Sequence, residues 1–150
     1  MNIDKYLAPI VRRVRLMFGR GIIQSTDDSL KMQSCQVSML NSEVRDNVEH
    51  FQNYGFTARA QDKAEAVYSC VNGNRNHAIV ICVDDRRYRV KNLEKGEVCI
   101  YTDEDNNAEQ HRIHFKRNKE IHMIAGDSSI VMTPTKITIT TPELEIIKAT

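Results

Sequence analysis

Five histidines, four cysteines and a run of two aspartates followed by two arginines are the side chains of this 150-residue chain with the means to do chemistry. The cysteines, Cys35, Cys70, Cys82 and Cys99, are scattered, with no CxxC pair and no zinc-ribbon spacing. Cys82 within Ala78–Val83 and Cys99 within Val98–Tyr101 sit among apolar residues, where a thiol packs as a small hydrophobe. Asp84 and Asp85 beside Arg86 and Arg87 could be a carboxylate pair, but adjacent strand residues point to opposite faces, and a hairpin tip is the ordinary place for such a run. His50, His77, His111, His114 and His122 have no cysteine or acidic companion at ligand spacing. No catalytic residue and no metal site are expected. Arg12, Arg13, Arg15 and Arg20 form the one basic cluster, suited to a phosphate or an acidic neighbour, or simply a solvated helix face. Tyr88, between Arg86, Arg87 and Arg89, is a thin footprint for single-stranded nucleic acid in a chain with 6% aromatic residues and no tryptophan.

Composition narrows the classes further. A net charge of +1 gives no global drive toward nucleic acid or anionic membrane. A hydrophobic fraction of 41% supports a core, while no apolar stretch is long enough to span a bilayer. The N-terminus places Asp4 before its basic residues and lacks the order of a signal peptide, so synthesis and retention in a cytoplasm are expected.

The elements that must position these side chains show most clearly in residues 111–150. Short strands are expected near Arg112, Glu120, Ser129, Lys136 and Glu143, separated by Gly126-Asp127, Thr133-Pro134 and Thr141-Pro142. Fifteen of these forty residues are Val, Ile or Thr, which favour the pleated backbone over a helix. Apolar residues alternate, with Ile113 and Phe115, Ile121 and Met123, Ile137 and Ile139, and Leu144 and Ile146 on one face. The backbone entropy of fixing such a segment exceeds what its inward side chains return, so it needs a partner layer. That layer could be the preceding domain, as in a meander completing a sandwich, or further copies of the same segment around an axis. Self-association is the expectation adopted. His122 could then line the axis, but with Ile121 and Met123 inward it is expected to point outward.

Residues 1–20 suggest a short docking helix with an apolar stripe of Tyr6, Leu7, Ile10, Val11, Val14 and Phe18, flanked by Arg15, its regular part starting near Pro9. Such a stripe suits a partner's groove. Residues 21–102 read as an antiparallel barrel. Strands are expected over Gly21–Asp27, Leu30–Leu40, Ala64–Val71, His77–Val83, Tyr88–Val90 and Val98–Tyr101, with a further segment at Phe56–Ala60 and a turn at Asn72-Gly73-Asn74. Five or six short strands suit a small closed barrel of the five-stranded OB type, a sandwich being the alternative. Residues 102–110, acidic and poor in apolar groups, form the junction with a shaft over 103–150. The fold class is thus all-β with a short N-terminal helix.

Glu65-Ala66-Val67, Asn72 to Val80, Asp84 to Arg89 and Leu93 to Val98, in that order, with Val14-Arg15 and Tyr54 to Thr57 upstream, resemble the Mu-type baseplate assembly protein V family. Its members are central spike proteins of contractile-tailed bacteriophages. The resemblance implies an N-terminal OB-fold domain followed by a trimeric triple-stranded β-helix, in a homotrimer that punctures the host cell envelope during tail contraction. Implied partners are two further copies, a baseplate hub protein and, transiently, the host outer membrane, with no nucleic acid and no small-molecule substrate; the implied location is the tail baseplate of the virion. Ile113, Phe115, Ile121, Met123, Ile137, Ile139, Leu144 and Ile146 would fill the trimer axis. Related spikes often carry a His-x-His pair that holds a metal at the apex. This sequence has none, and it ends on Lys148-Ala149-Thr150, still strand-like, so a shaft without its apex and without a cofactor is expected. The alternative is a monomeric OB-fold module binding nucleic acid or protein.

Overall fold

The computed structural model describes residues 4–40, 43–105 and 110–146. The chain divides into two compact units, one up to Arg86 and one from Arg87 onward. The first holds a helix, α1 (Asp4–Arg15), and five strands: β1 (Phe18–Asp27), β2 (Ser34–Ser38), β3 (Val44–His50), β4 (Glu65–Cys70) and β5 (Ala78–Asp84). The strands close into a barrel in the order β1-β2-β3-β5-β4, with β4 pairing back onto β1. Every pairing is antiparallel except β3 with β5, a short parallel contact in which Glu49 meets Ile79 and His50 meets Val80.

Alternation in these strands sends Ile23, Val37, Val48 and Val80 into the barrel with Cys35, Cys70, Ala66 and Tyr68. Closing a small barrel requires local bends, and register shifts in β1–β2, β2–β3 and β4–β5 supply them. In β1 the shift lies between Ile23 and Ser25, so the buried positions run Gly21, Ile23 and then Thr26. Gly21 is glycine for lack of space. A Cβ there would lie 2.7 Å from Val37 Cγ1 and 2.8 Å from the Ser38 carbonyl oxygen.

His50 and Gln33 are polar yet buried, and they satisfy one another. The His50 Nδ1–H donates to Gln33 Oε1 at 2.7 Å, while Gln33 Nε2 donates to Asp28 Oδ1 and the Ala58 carbonyl. Gln52 joins through Nε2 to Ala58 O and through Oε1 to the Ala58 amide. The irregular stretch between β3 and β4 is thereby tied to the barrel wall.

The second unit contains β6 (Val98–Tyr101), β7 (His111–Phe115), β8 (Ile121–Ala125), β9 (Ser128–Met132) and β10 (Ile137–Thr140). They form a single antiparallel meander in the order β10-β9-β8-β7-β6. Gly126 (φ 56°) turns β8 into β9, and Asn118 and Lys119 take positive φ in the turn between β7 and β8.

Several expectations need correction. Val98–Tyr101 belongs to the second sheet, so the barrel ends at Asp84 and not near residue 102. Val98 and Ile100 continue the apolar alternation of Ile113 and Phe115, and β7 offers the matching edge. Asp84 to Arg87 is no hairpin tip, because Tyr88–Val90 forms no strand to return along. Phe56–Ala60 is likewise irregular, while β3 was hidden by its polar sequence VRDNVEH, in which Val48 and His50 are the buried residues. α1 begins before Pro9 and ends at Arg15, and Phe18 opens β1. No strand forms among residues 141–146, where Leu144 and Ile146 lie beyond β10. The strand-like end at 148–150 lies outside the described residues.

Two tests follow from the barrel. Gly21→Ala should cost about 1–3 kcal/mol in urea unfolding, as overpacking against a fixed backbone does. Burial lowers the His50 pKa below its ordinary 6.5. As the pH falls the unfolded chain takes up this proton first, so the contribution of neutral His50 is complete above about pH 6.5 and declines below it. The drop in urea midpoint between pH 7.5 and about pH 5 should therefore shrink in His50→Gln; an unchanged drop would show that His50 does not set it.

Candidate functional surfaces

The registers of β6 to β10 decide which side chains share a face. Facing residues across an antiparallel pair lie on the same side, and the pairs Ile100 with Ile113, Ile113 with Met123, Met123 with Ile130 and Ile130 with Ile139 run unbroken across all five strands. A second row runs Val98, Phe115, Ile121, Met132 and Ile137. Six of the eight residues assigned to an axis from sequence, Ile113, Phe115, Ile121, Met123, Ile137 and Ile139, therefore occupy one face. Val98, Ile100, Ile130 and Met132 join them, and sequence alternation could have found these four. Leu144 lines the same groove, about 640 Å³ in volume, although no strand carries it. Ile146 does not line it and is exposed.

This apolar face is open in the single chain. Ile137 is 66% exposed, Val98 57% and Ile139 55%. The opposite face, with Cys99, Arg112, His114, His122 and Val131, is half-buried. The usual preference is inverted, and a contiguous apolar patch of this kind marks an interaction surface.

The helix, too, leaves apolar residues open. Tyr6, Leu7, Ile10, Val11 and Val14 of the expected docking stripe are all exposed on α1, as is Arg15. Lys5, Ala8, Arg12, Arg13 and Leu16 instead line a groove with Gly73 to Asn76. Phe18 is exposed too, but on β1.

The chemically active residues take quieter places. Cys35 and Cys70 are core residues whose thiols burial pushes up, and none of the four cysteines forms a disulfide. Cys82 is exposed on β5, against the expectation of a packed site. Arg86, just beyond β5, forms a two-pronged ion pair with Glu65 on β4, which accounts for one member of the Asp-Asp-Arg-Arg run. Arg87 lies over the Tyr88 ring at 5.1 Å.

Two histidines of the second unit have acidic companions. His114 Nε2 meets Glu97 Oε2 at 3.1 Å, and His122 Nε2 meets Glu120 Oε2 at 3.1 Å. The first pair is seventeen residues apart and is made by the β6–β7 pairing; the second has i, i+2 spacing, with extended Glu120 just before β8, and was readable. Burial would raise the Glu97 carboxyl, but amides of Glu94 and Arg117 and the His114 ring hold it below its ordinary value. Arg112 Nε pairs with Asp105 at 2.7 Å. Among the described residues no three His, Cys, Asp or Glu side chains converge as a metal cluster.

Comparison with known proteins agrees with this geometry. Residues 20–87, essentially the barrel, match the family model described as Bacteriophage Mu Gp45, N-terminal. The baseplate puncturing device gp45 of Escherichia phage Mu is 37% identical over 88% of this chain and 68% of its own length. The Mu-like prophage FluMu protein gp45 of Haemophilus influenzae is 30% identical over 79% of this chain and 62% of its own length. With a barrel that fits the family model and 37% identity to the phage Mu protein over 88% of this chain, the chain belongs to the bacteriophage Mu Gp45 family.

Proposed function

We propose that the chain is a structural component of a phage tail baseplate, a homotrimeric central spike that pierces the host envelope when the tail contracts. Its family relative from phage Mu is named a baseplate puncturing device, and the observation on this chain that carries the role is the apolar face spanning β6 to β10. About ten large apolar side chains there would each contribute on the order of 1.5–3 kcal/mol once buried. Copies of the same face around a threefold axis bury them without any new surface.

The barrel, with its 1-2-3-5-4 order and parallel β3–β5 closure, is of the OB type. In this proposal the five-stranded meander is the start of the triple-stranded β-helix, wound with its mates so that edge strands find partners. Rigidity is then the working property, since many backbone hydrogen bonds must break together before such a shaft bends. The exposed stripe on α1 is the docking element for the baseplate hub. No catalytic step, cofactor or small-molecule substrate is required, and the site of action is the virion tail at the host surface.

Light scattering of the intact chain should give close to three times the 17.2 kDa monomer mass; a clean monomer at micromolar concentration would overturn the trimer. Ile139→Asp places like charges together on a dry axis, so trimers should be lost while the barrel, monitored through its own unfolding transition, stays folded. A trimeric Ile139→Asp protein would mean that this face points away from the axis.

A further inference from the structure

The face opposite the apolar one carries a row of its own: Cys99, His114, His122 and Val131 lie directly across from one another on β6, β7, β8 and β9. The two histidines are facing neighbours, a relation that places Cβ atoms about 4.5–5.5 Å apart. Each ring is fixed by a carboxylate on the same nitrogen. Since Glu97 and Glu120 accept at Nε2, each neutral ring carries its proton there, and each Nδ1 is left with a lone pair. Neither Nδ1 has a hydrogen-bond partner among the described residues. The neighbouring cation on this face, Arg112, is neutralised by Asp105.

A histidine held by a carboxylate through one nitrogen and free at the other is the arrangement found behind metal-ligating imidazoles, where the carboxylate sets the tautomer and raises ring basicity. We propose that His114 and His122 form a two-histidine chelate for a borderline divalent transition cation of the zinc, nickel or copper class. Glu97 and Glu120 position the rings, and water completes the coordination. Imidazole nitrogens select these cations, whereas calcium and magnesium demand oxygen ligands that the pair does not offer. The two ligands would come from one strand pair, β7 and β8, whose register already sets His114 across from His122. A cation there would clip β7 to β8 on the side of the sheet away from the apolar face.

Isothermal titration of the full chain with zinc chloride, and separately with nickel chloride, at about pH 7.5 should give one cation per chain in the micromolar range, with no binding of calcium. His114→Ala and His122→Gln should each abolish that binding, while His111→Ala leaves it intact. Glu97→Gln and Glu120→Gln should weaken it about 10- to 100-fold, the usual cost of losing an orienting partner. The proposal fails if no zinc or nickel binds, if binding survives both histidine substitutions, or if one cation is taken up per two or three chains, which would mean that copies are bridged. His122→Gln keeps a polar side chain on β8 and serves as the decisive variant should His114→Ala unfold.

Discussion

Everything proposed for the second unit depends on one constraint, the register of its five antiparallel strands. A strand alternates its side chains with a period of two, so a slip of one residue between any neighbouring pair would scatter the apolar rows over both faces. The turns hold that register in place. Gly126 and Asp127 allow the tight reversal between β8 and β9, while the Lys116 amide donates to the Glu120 carbonyl to close the turn between β7 and β8. With those reversals set, the part of each row that crosses β7, β8 and β9 follows, and the pairings of β6 and β10 extend it.

The barrel solves a different problem, since it must close without free edges and with few residues. Its parallel seam between β3 and β5 is only two residue pairs long, and one of them includes His50. The hydrogen bond from His50 to Gln33, and onward to Asp28, Ala58 and Gln52, surrounds that seam with polar groups that satisfy one another. A buried polar network of this sort is costly when incomplete and specifying when complete. It ties a long irregular connection to the place where the barrel is most thinly paired.

The two units therefore divide their labour by where their apolar residues go. In the barrel, alternation points inward and the core closes on itself, with Ile23, Val37 and Val80 fully buried. In the meander, the apolar face stays open and the polar face carries the ion pairs. An open apolar face of this kind marks an interaction surface, and α1 likewise leaves its apolar stripe exposed.

Much of this was legible in the sequence because it depends on local physics. The branched residues and alternation of 111–140, the turn at Gly126-Asp127 and the shared face of Ile113 and Ile139 need only neighbours in the chain. Pairing between distant segments was not legible. Val98–Tyr101 looked like the last barrel strand, since its alternation fits either sheet and only the edge of β7 decides between them. β3 was hidden because two buried side chains suffice for a strand walled by neighbours, and Cys82 looked buried because β5 is apolar on both faces. Glu97 with His114, and His114 with His122, are encounters across strands that no spacing announces. By itself the sequence determined which residues alternate and where the chain turns, since those are properties of a few adjacent residues. Tertiary structure alone decided which strands pair and in what register, because hydrogen-bond ladders join residues that sequence distance does not relate.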